Sequence, residues 1–386
     1  MKTLPMKAGT GWRAAADAAL VMAIGMGFGR FAFTAIYPHM IDEGILNLYG
    51  GSLAASANYA GYLLGALLAV HAKAHSAHRL CLWAMAGTAI CLIVLYEFEQ
   101  MWMIVTVRGL AGIFSALSMV AASLWLLEQR KFQAGAPLLY AAVGVGIALS
   151  AELLVLGTHF GLRSAELWLL LGVVSLIIGI LAVPGLMASG SETPAVPTAI
   201  AEPGTATVRP FPLVSIYGLA GFGYIITATY LPLLVKTALP NVDAAHVWAV
   251  FGLGAAPSCF LWHVLNKRLG TKISLVTNLI VQAIGVGVPV LIPSAIGYLL
   301  SALLVGGSFM GTVTIAMPAA QGAAKQVPGN LMAIMTFVYG LGQISGPLVA
   351  NIFYERFQSL SGSLIAAAVA LLAASLIATH FLIEKD

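Results

Sequence analysis

The sequence is short of charge. Of its 386 residues only 8% are Asp, Glu, Lys or Arg, about a third of the share an ordinary soluble domain carries. With 60% hydrophobic residues and a mean hydropathy of +0.96, the chain cannot assemble a water-facing surface. Cysteine is scarce too. Cys81, Cys91 and Cys259 stand in apolar stretches without CxxC spacing, so neither a disulfide framework nor a thiolate metal site is expected. No HExxH pattern or carboxylate-supported cluster accompanies the eight histidines, and His71, His75 and His78 read as interfacial polarity rather than metal ligands. A Walker motif is missing, which excludes direct ATP hydrolysis. The basic residues are scattered rather than gathered on a face, so nucleic acid is not an expected partner despite the net charge of +4.

Long apolar runs are what the chain does have. A spanning helix needs about 20 mostly apolar residues. Such runs occur at 15–38, 52–71, 79–97, 101–127, 134–158, 165–187, 211–236, 245–265, 273–291, 294–320, 329–353 and 360–383. The expectation is an all-α integral membrane protein with twelve transmembrane helices. Short cytoplasmic loops should hold most Lys and Arg. With a cytoplasmic N-terminus, that side collects thirteen of the eighteen, from Lys2 and Lys7 to Lys325 and Lys385, and the outer side keeps Arg163, Lys236 and Arg356. Both termini are therefore expected in the cytoplasm of a bacterial inner-membrane protein. The first run is too long for a signal peptide.

One polar, proline-bearing stretch, 189–210, divides the runs six and six. It reads as a linker between an N-terminal unit, 1–188, and a C-terminal unit, 211–386. The units echo each other. Gly27-Phe28-Gly29-Arg30 through Pro38 aligns without a gap on Gly221-Phe222-Gly223-Tyr224 through Pro232, and Gly144 and Gly146 fall over Gly340 and Gly342. Parallel repeats of this kind are a transporter signature.

On these residues the chain resembles the major facilitator superfamily over nearly its whole length. GMGFGRFAFTAIYPHM, GFGYIITATYLPLL and GLGQISGPL further resemble its YbfB/YjiJ-like subfamily. The resemblance implies the superfamily fold, two pseudo-symmetric six-helix bundles around a central cavity, with alternating access and usually proton coupling. Arg108-Gly109-Leu110-Ala111-Gly112 is similar to the superfamily's fourth-helix motif, with Ala111 where a polar residue is usual. The acidic and basic gate motif is eroded: Ala69 and His71 stand near its charged positions, and Lys267 occupies the acidic place of the second copy.

Charges inside spanning segments cost at least about 2.5 to 3.5 kcal/mol each, so they usually face protein or water and carry function. Arg30, Arg108 and Glu152 are the candidates. At about 1.5 Å per residue all three should lie roughly 9–12 Å below the outer helix ends. Arg30 is expected to hold an anionic group through its fork of donors, and Glu152 to accept a coupling proton or to pair with Arg108. Tyr224, the counterpart of Arg30, and Gln343 should supply uncharged polar groups from the second unit, with Asn58 and Tyr59 as further substrate-binding candidates. The reading is a monomeric secondary transporter of a small, anionic organic solute, in contact with membrane lipids, coupled to protons and needing no cofactor. The alternatives are a polyspecific drug or metabolite exporter, a membrane enzyme, which would need a nucleophile, metal or acid-base cluster that the sequence lacks, and a membrane receptor on a transporter fold.

Overall fold

A computed structural model describes residues 8–188, 208–239, 243–326 and 330–382. Most of the linker at 189–210 lies outside the described residues, and its last residue, Pro210, already opens a helix. The described residues are essentially all-α. Eleven helices are long and apolar enough to cross a membrane: α1 Gly11–Asp42, α2 Leu48–His71, α3 Ala74–Val94, α4 Met101–Gln129, α5 Gln133–His159, α6 Ser164–Met187, α7 Pro210–Ala238, α8 Ala244–Leu291, α9 Ala295–Ala323, α10 Leu331–Phe357 and α11 Ser361–Phe381. Helix α8 is 48 residues long and broken at Gly270, whose φ of 77° and ψ of 165° lie outside helical space. Only glycine takes that backbone without strain, so two arms, 244–269 and 271–291, leave it in different directions.

Local chemistry sets the starts. Asn47, Asp243, Ser294 and Asn330 accept hydrogen bonds from the first-turn amides of α2, α8, α9 and α10, satisfying donors a helix cannot satisfy itself. Pro38, Pro184, Pro232, Pro257, Pro289, Pro318 and Pro347 lie inside helices, which neighbouring segments can tolerate in a membrane. The outside is apolar: Trp83, Trp102, Ile180, Leu253, Leu291 and Val369 are exposed. That pattern fits a lipid-facing belt and makes this a multi-pass membrane protein.

Among the first six helices, α1 packs on α4 and α5, α2 on α4, and α3 on α4 and α6; among the rest, α7 packs on α10 and α11, and α8 on α9 and α11. The two sets meet along α5 with α8, α2 with α10, and α1 with α7. The repeated glycines permit two close helix approaches. A Cβ on Gly27 of α1 would lie 2.4 Å from the Gly146 carbonyl carbon of α5, and one on Gly342 of α10 would lie 2.5 Å from the Gly218 oxygen and 3.3 Å from the Gly221 carbonyl carbon of α7. The same sequence echo thus makes the same helix contact twice.

Candidate functional site

The stretch Ala23–Phe31 of α1, with the sequence AIGMGFGRF, is a π-helix rather than an α-helix. Such wide turns are rare and concentrate at functional sites. Where wide turns give way to α-helical ones the bonding register slips, and carbonyls lose their usual donors. Side chains from other helices supply them here. Arg108 of α4 donates from Nη1 to the Gly29 carbonyl at 2.8 Å and from Nη2 to the Arg30 carbonyl at 2.9 Å. Trp248 of α8 donates to the Phe31 carbonyl at 3.1 Å, and Ser115 of α4 to that of Gly25 at 2.6 Å.

Arg108 is only 1% exposed, stacks on Phe33 and Trp168, and has its own carbonyl bonded by Asn58 Nδ2 at 2.9 Å. It braces α1 and does not reach the cavity. The pairing of Arg108 with Glu152 expected from the sequence is corrected by the structure: Glu152 Oε1 meets His246 Nδ1 of α8 at 3.0 Å, with both side chains about half exposed at 51% and 52%. What the sequence left open is the side of α5 from which Glu152 projects. Because its partner belongs to α8, Glu152 leaves α5 on the side that meets α8 rather than toward Arg108 of α4.

Arg30 does reach a cavity. The residue is 3% exposed, and its guanidinium lies 4.1 Å from the Tyr62 ring centroid and 5.0 Å from that of Tyr59 and donates from Nη2 to Gln343 Oε1 at 2.9 Å. Gln343 Nε2 in turn donates to the Tyr224 hydroxyl. One hydrogen-bonded chain therefore joins Arg30 of α1, Gln343 of α10 and Tyr224 of α7, three of the residues singled out in the sequence. Arg30 Nε and Nη1 are buried without a protein partner. Tyr59 bonds across to Thr229 of α7 at 3.0 Å, and Asn58 faces α4 rather than the cavity.

The cavity has a volume of about 450 Å³, and Arg30 is the single charged residue on its wall among the described residues. Tyr224 stacks on Phe309 and Tyr339, and Tyr339 on Tyr217, forming an aromatic wall. Sequence reasoning missed Tyr62, Tyr339 and Phe309. Two of them carried a signal: Tyr62 stands three residues after Tyr59 and Tyr339 four before Gln343, so each shares a helix face with a residue already identified. It also missed Asp17, a buried acid near Arg13 and Arg130 at the start of α1.

The cavity extends to Leu67 and Val70 near the end of α2 and to Asn330 and Met332 at the start of α10. At the opposite ends of these helices the way is shut. Ser52 Oγ and Tyr230 Oη are 2.6 Å apart, Tyr230 donates to the Pro347 carbonyl at 3.2 Å, and Thr34 donates to that of Ala228 at 2.8 Å. Lys236 closes the rim by pairing with Asp42 and donating to the Pro38 carbonyl.

A central cavity open at one end and latched at the other, inside a multi-helix membrane protein, is transporter architecture. No curated protein matches the chain. Residues 22–379 match the family described as uncharacterised MFS-type transporter YbfB. The chain belongs to that family, and is a transport protein rather than an enzyme.

Proposed function

We propose that the protein is a secondary active transporter that moves a small organic anion across the bacterial inner membrane by alternating access. The observation that carries this reading is Arg30: a residue 3% exposed, with two unpartnered guanidinium nitrogens, on the wall of a cavity that carries no other charge among the described residues. A buried charge with open donors is stabilised by an anion that fills them. Counting the arms of α8 separately gives twelve crossings in two six-helix bundles, joined by the segment at 189–210. The positive-inside bias puts both termini in the cytoplasm, which makes the open end of the cavity cytoplasmic and the Tyr230 and Lys236 latch external. The unit of transport is a monomer.

Proton coupling rests on Glu152 with His246, an ion pair only while the histidine is protonated, on the α5–α8 seam that alternating access must open. Protonation changes there bias one arrangement of the bundles over the other. A second reading is polyspecific export. It is favoured by Met26, Met119, Met310, Met317 and Met332 on the cavity wall, since flexible thioethers adapt to many apolar shapes.

Flux into proteoliposomes of the purified protein tests both. Matched anionic and neutral analogues should differ at least tenfold in uptake, and Arg30→Ala should remove the difference. Equal uptake of the two overturns the anion reading, while strong transport of unrelated lipophilic cations favours the exporter.

A further inference from the structure

The carbonyls at the end of the wide turns are met from two sides, and the two sides belong to different halves of the chain. Where i→i+5 bonding gives way to i→i+4 bonding, two carbonyls face one amide, so the outer end of the π-helical stretch is short of donors. Arg108 serves Gly29 and Arg30, and it comes from α4, in the same half as α1. The Phe31 carbonyl is served by Trp248 of α8, from the other half. Trp248 is fully buried, and its ring stacks on Phe251 at 4.3 Å between centroids. Arg30, which reaches the cavity, stands between the two supports.

The support from Trp248 is conditional. Four residues further along α8, Gly252 packs on α5 so closely that a Cβ on it would lie 2.6 Å from the Ala148 nitrogen and from the Gly144 oxygen. Trp248 lies about 6 Å from that contact along the helix axis, towards the outer rim. A rocking of the halves that opens the rim therefore carries the indole away from α1. Its hydrogen bond measures 3.1 Å, and about half an ångström more takes it out of range. A buried carbonyl left without a donor is costly, and closing the wide turn into an α-turn gives it a backbone donor again. A one-residue slip of this kind turns the residues on one side of it by about 100° against those on the other, and Arg30 lies at that boundary.

We propose that Trp248 is a positioning residue: by capping the Phe31 carbonyl it keeps this stretch of α1 π-helical, and so keeps Arg30 aimed into the cavity, only while the outer rim is shut. This rests on the alternating-access reading above and adds the link by which the seam between the halves sets the anion site. Arg30 faces a ligand in the state with the rim closed and turns from it as the rim opens, so affinity depends on the state.

Hydrogen exchange and arginine labelling of the full-length protein in detergent test this without a substrate. Trp248→Phe keeps an aromatic ring beside Phe251 and loses the N–H donor. Exchange in 23–31 should rise at least tenfold, and modification of Arg30 by phenylglyoxal should fall at least threefold, with Arg163, whose side chain is 66% exposed, labelled as in the parent protein. The rim is controlled separately by replacing the paired Asp42 and Lys236 with cysteines, Asp42→Cys and Lys236→Cys, and bridging them with a short bis-maleimide. Exchange in 23–31 should be at least threefold slower in the bridged protein than in the unbridged one, and Trp248→Phe should raise it even with the bridge in place. A lower unfolding temperature in Trp248→Phe with unchanged exchange and unchanged Arg30 labelling makes Trp248 a packing residue and overturns the proposal. Equal exchange with and without the bridge overturns it too, since the rim then does not work the support. Flux that fails to distinguish anions from neutral analogues sinks the anion reading and leaves these results as they stand.

Discussion

Gly27-Phe28-Gly29-Arg30 of α1 and Gly221-Phe222-Gly223-Tyr224 of α7 began as the same pattern and have been put to different uses. Both keep glycines where a neighbouring helix comes within reach of a methyl group. Their backbones differ. The first is π-helical over Ala23–Phe31, whereas α7 is α-helical throughout Pro210–Ala238. Their chemistry differs as well: one ends in a charge braced from behind by Arg108, the other in a phenol that orients Gln343. Packing is the shared inheritance, and the bonding register of the backbone is what changed where a charge had to be aimed into a cavity. The charge needs more support, since unpaired carbonyls in a buried site cost about 1–3 kcal/mol each.

The shared part of the comparison should break most visibly. Gly27→Ala and Gly221→Ala each place a methyl within 2.4 to 2.6 Å of a backbone atom, Gly146 C and Tyr339 O. Overpacking of this kind costs about 1–3 kcal/mol, so both variants should lower the unfolding temperature of the solubilised protein. Gly287→Ala, where a methyl meets nothing within 4 Å, should not. If Gly27→Ala melts like the parent protein, the two glycine contacts are not equivalent. The bracing is next. Arg108→Met strips the donors from the Gly29 and Arg30 carbonyls and should cost about 1–3 kcal/mol. Hydrogen exchange in 23–31 should then rise at least tenfold, with 218–226 of α7 unchanged. Uniform protection in both stretches would mean that the π-helix holds itself.

A smaller effect is expected on the phenol side. Tyr224→Phe keeps the stacking on Phe309 and loses the hydrogen bond to Gln343, a change of about 0.5–1.5 kcal/mol. Affinity for an organic anion that the parent protein binds should shift by roughly three- to tenfold, far less than on loss of the Arg30 charge. A shift as large as that of Arg30→Ala would place Tyr224 directly on the substrate.

Much of this site was readable in the sequence, because a charge in an apolar run is conspicuous. Arg30, Arg108, Tyr224 and Gln343 were visible as charges, as repeat partners, or as polar residues at matching depth, and the structure links all four around one stretch of α1. What stayed hidden was the direction each side chain takes around its helix. A soluble helix betrays its inner face by polarity. Here lipid and core are both apolar, so the two faces of α5 look alike in sequence, and the sequence does not tell from which of them Glu152 projects. The π-helix was hidden for a related reason: the donors that meet its carbonyls come from α4 and α8, far away in sequence. The break in α8 had a local sign, Gly270 inside a basic loop, and was read as a longer connection at 266–272 than the single residue that makes it.

Glu152 and His246 carry the smallest expected effect on stability and the sharpest on coupling. Each is about half exposed, and exposed ion pairs contribute about 0–1 kcal/mol, so Glu152→Gln should leave the unfolding temperature nearly unchanged. The attraction between the two charges exists only while His246 is protonated. Gain or loss of a proton at the pair therefore changes how firmly the α5–α8 seam is held. In proteoliposomes the parent protein should accumulate substrate in proportion to an imposed pH gradient. Glu152→Gln should flatten that dependence while exchange between equally loaded compartments continues, because the cavity around Arg30 is untouched. His246→Gln should reproduce the effect, since either partner alone cannot form the pair. An unchanged dependence on the gradient in both variants would show that the seam does not read the proton, and would leave the Glu152–His246 pair a surface contact between α5 and α8.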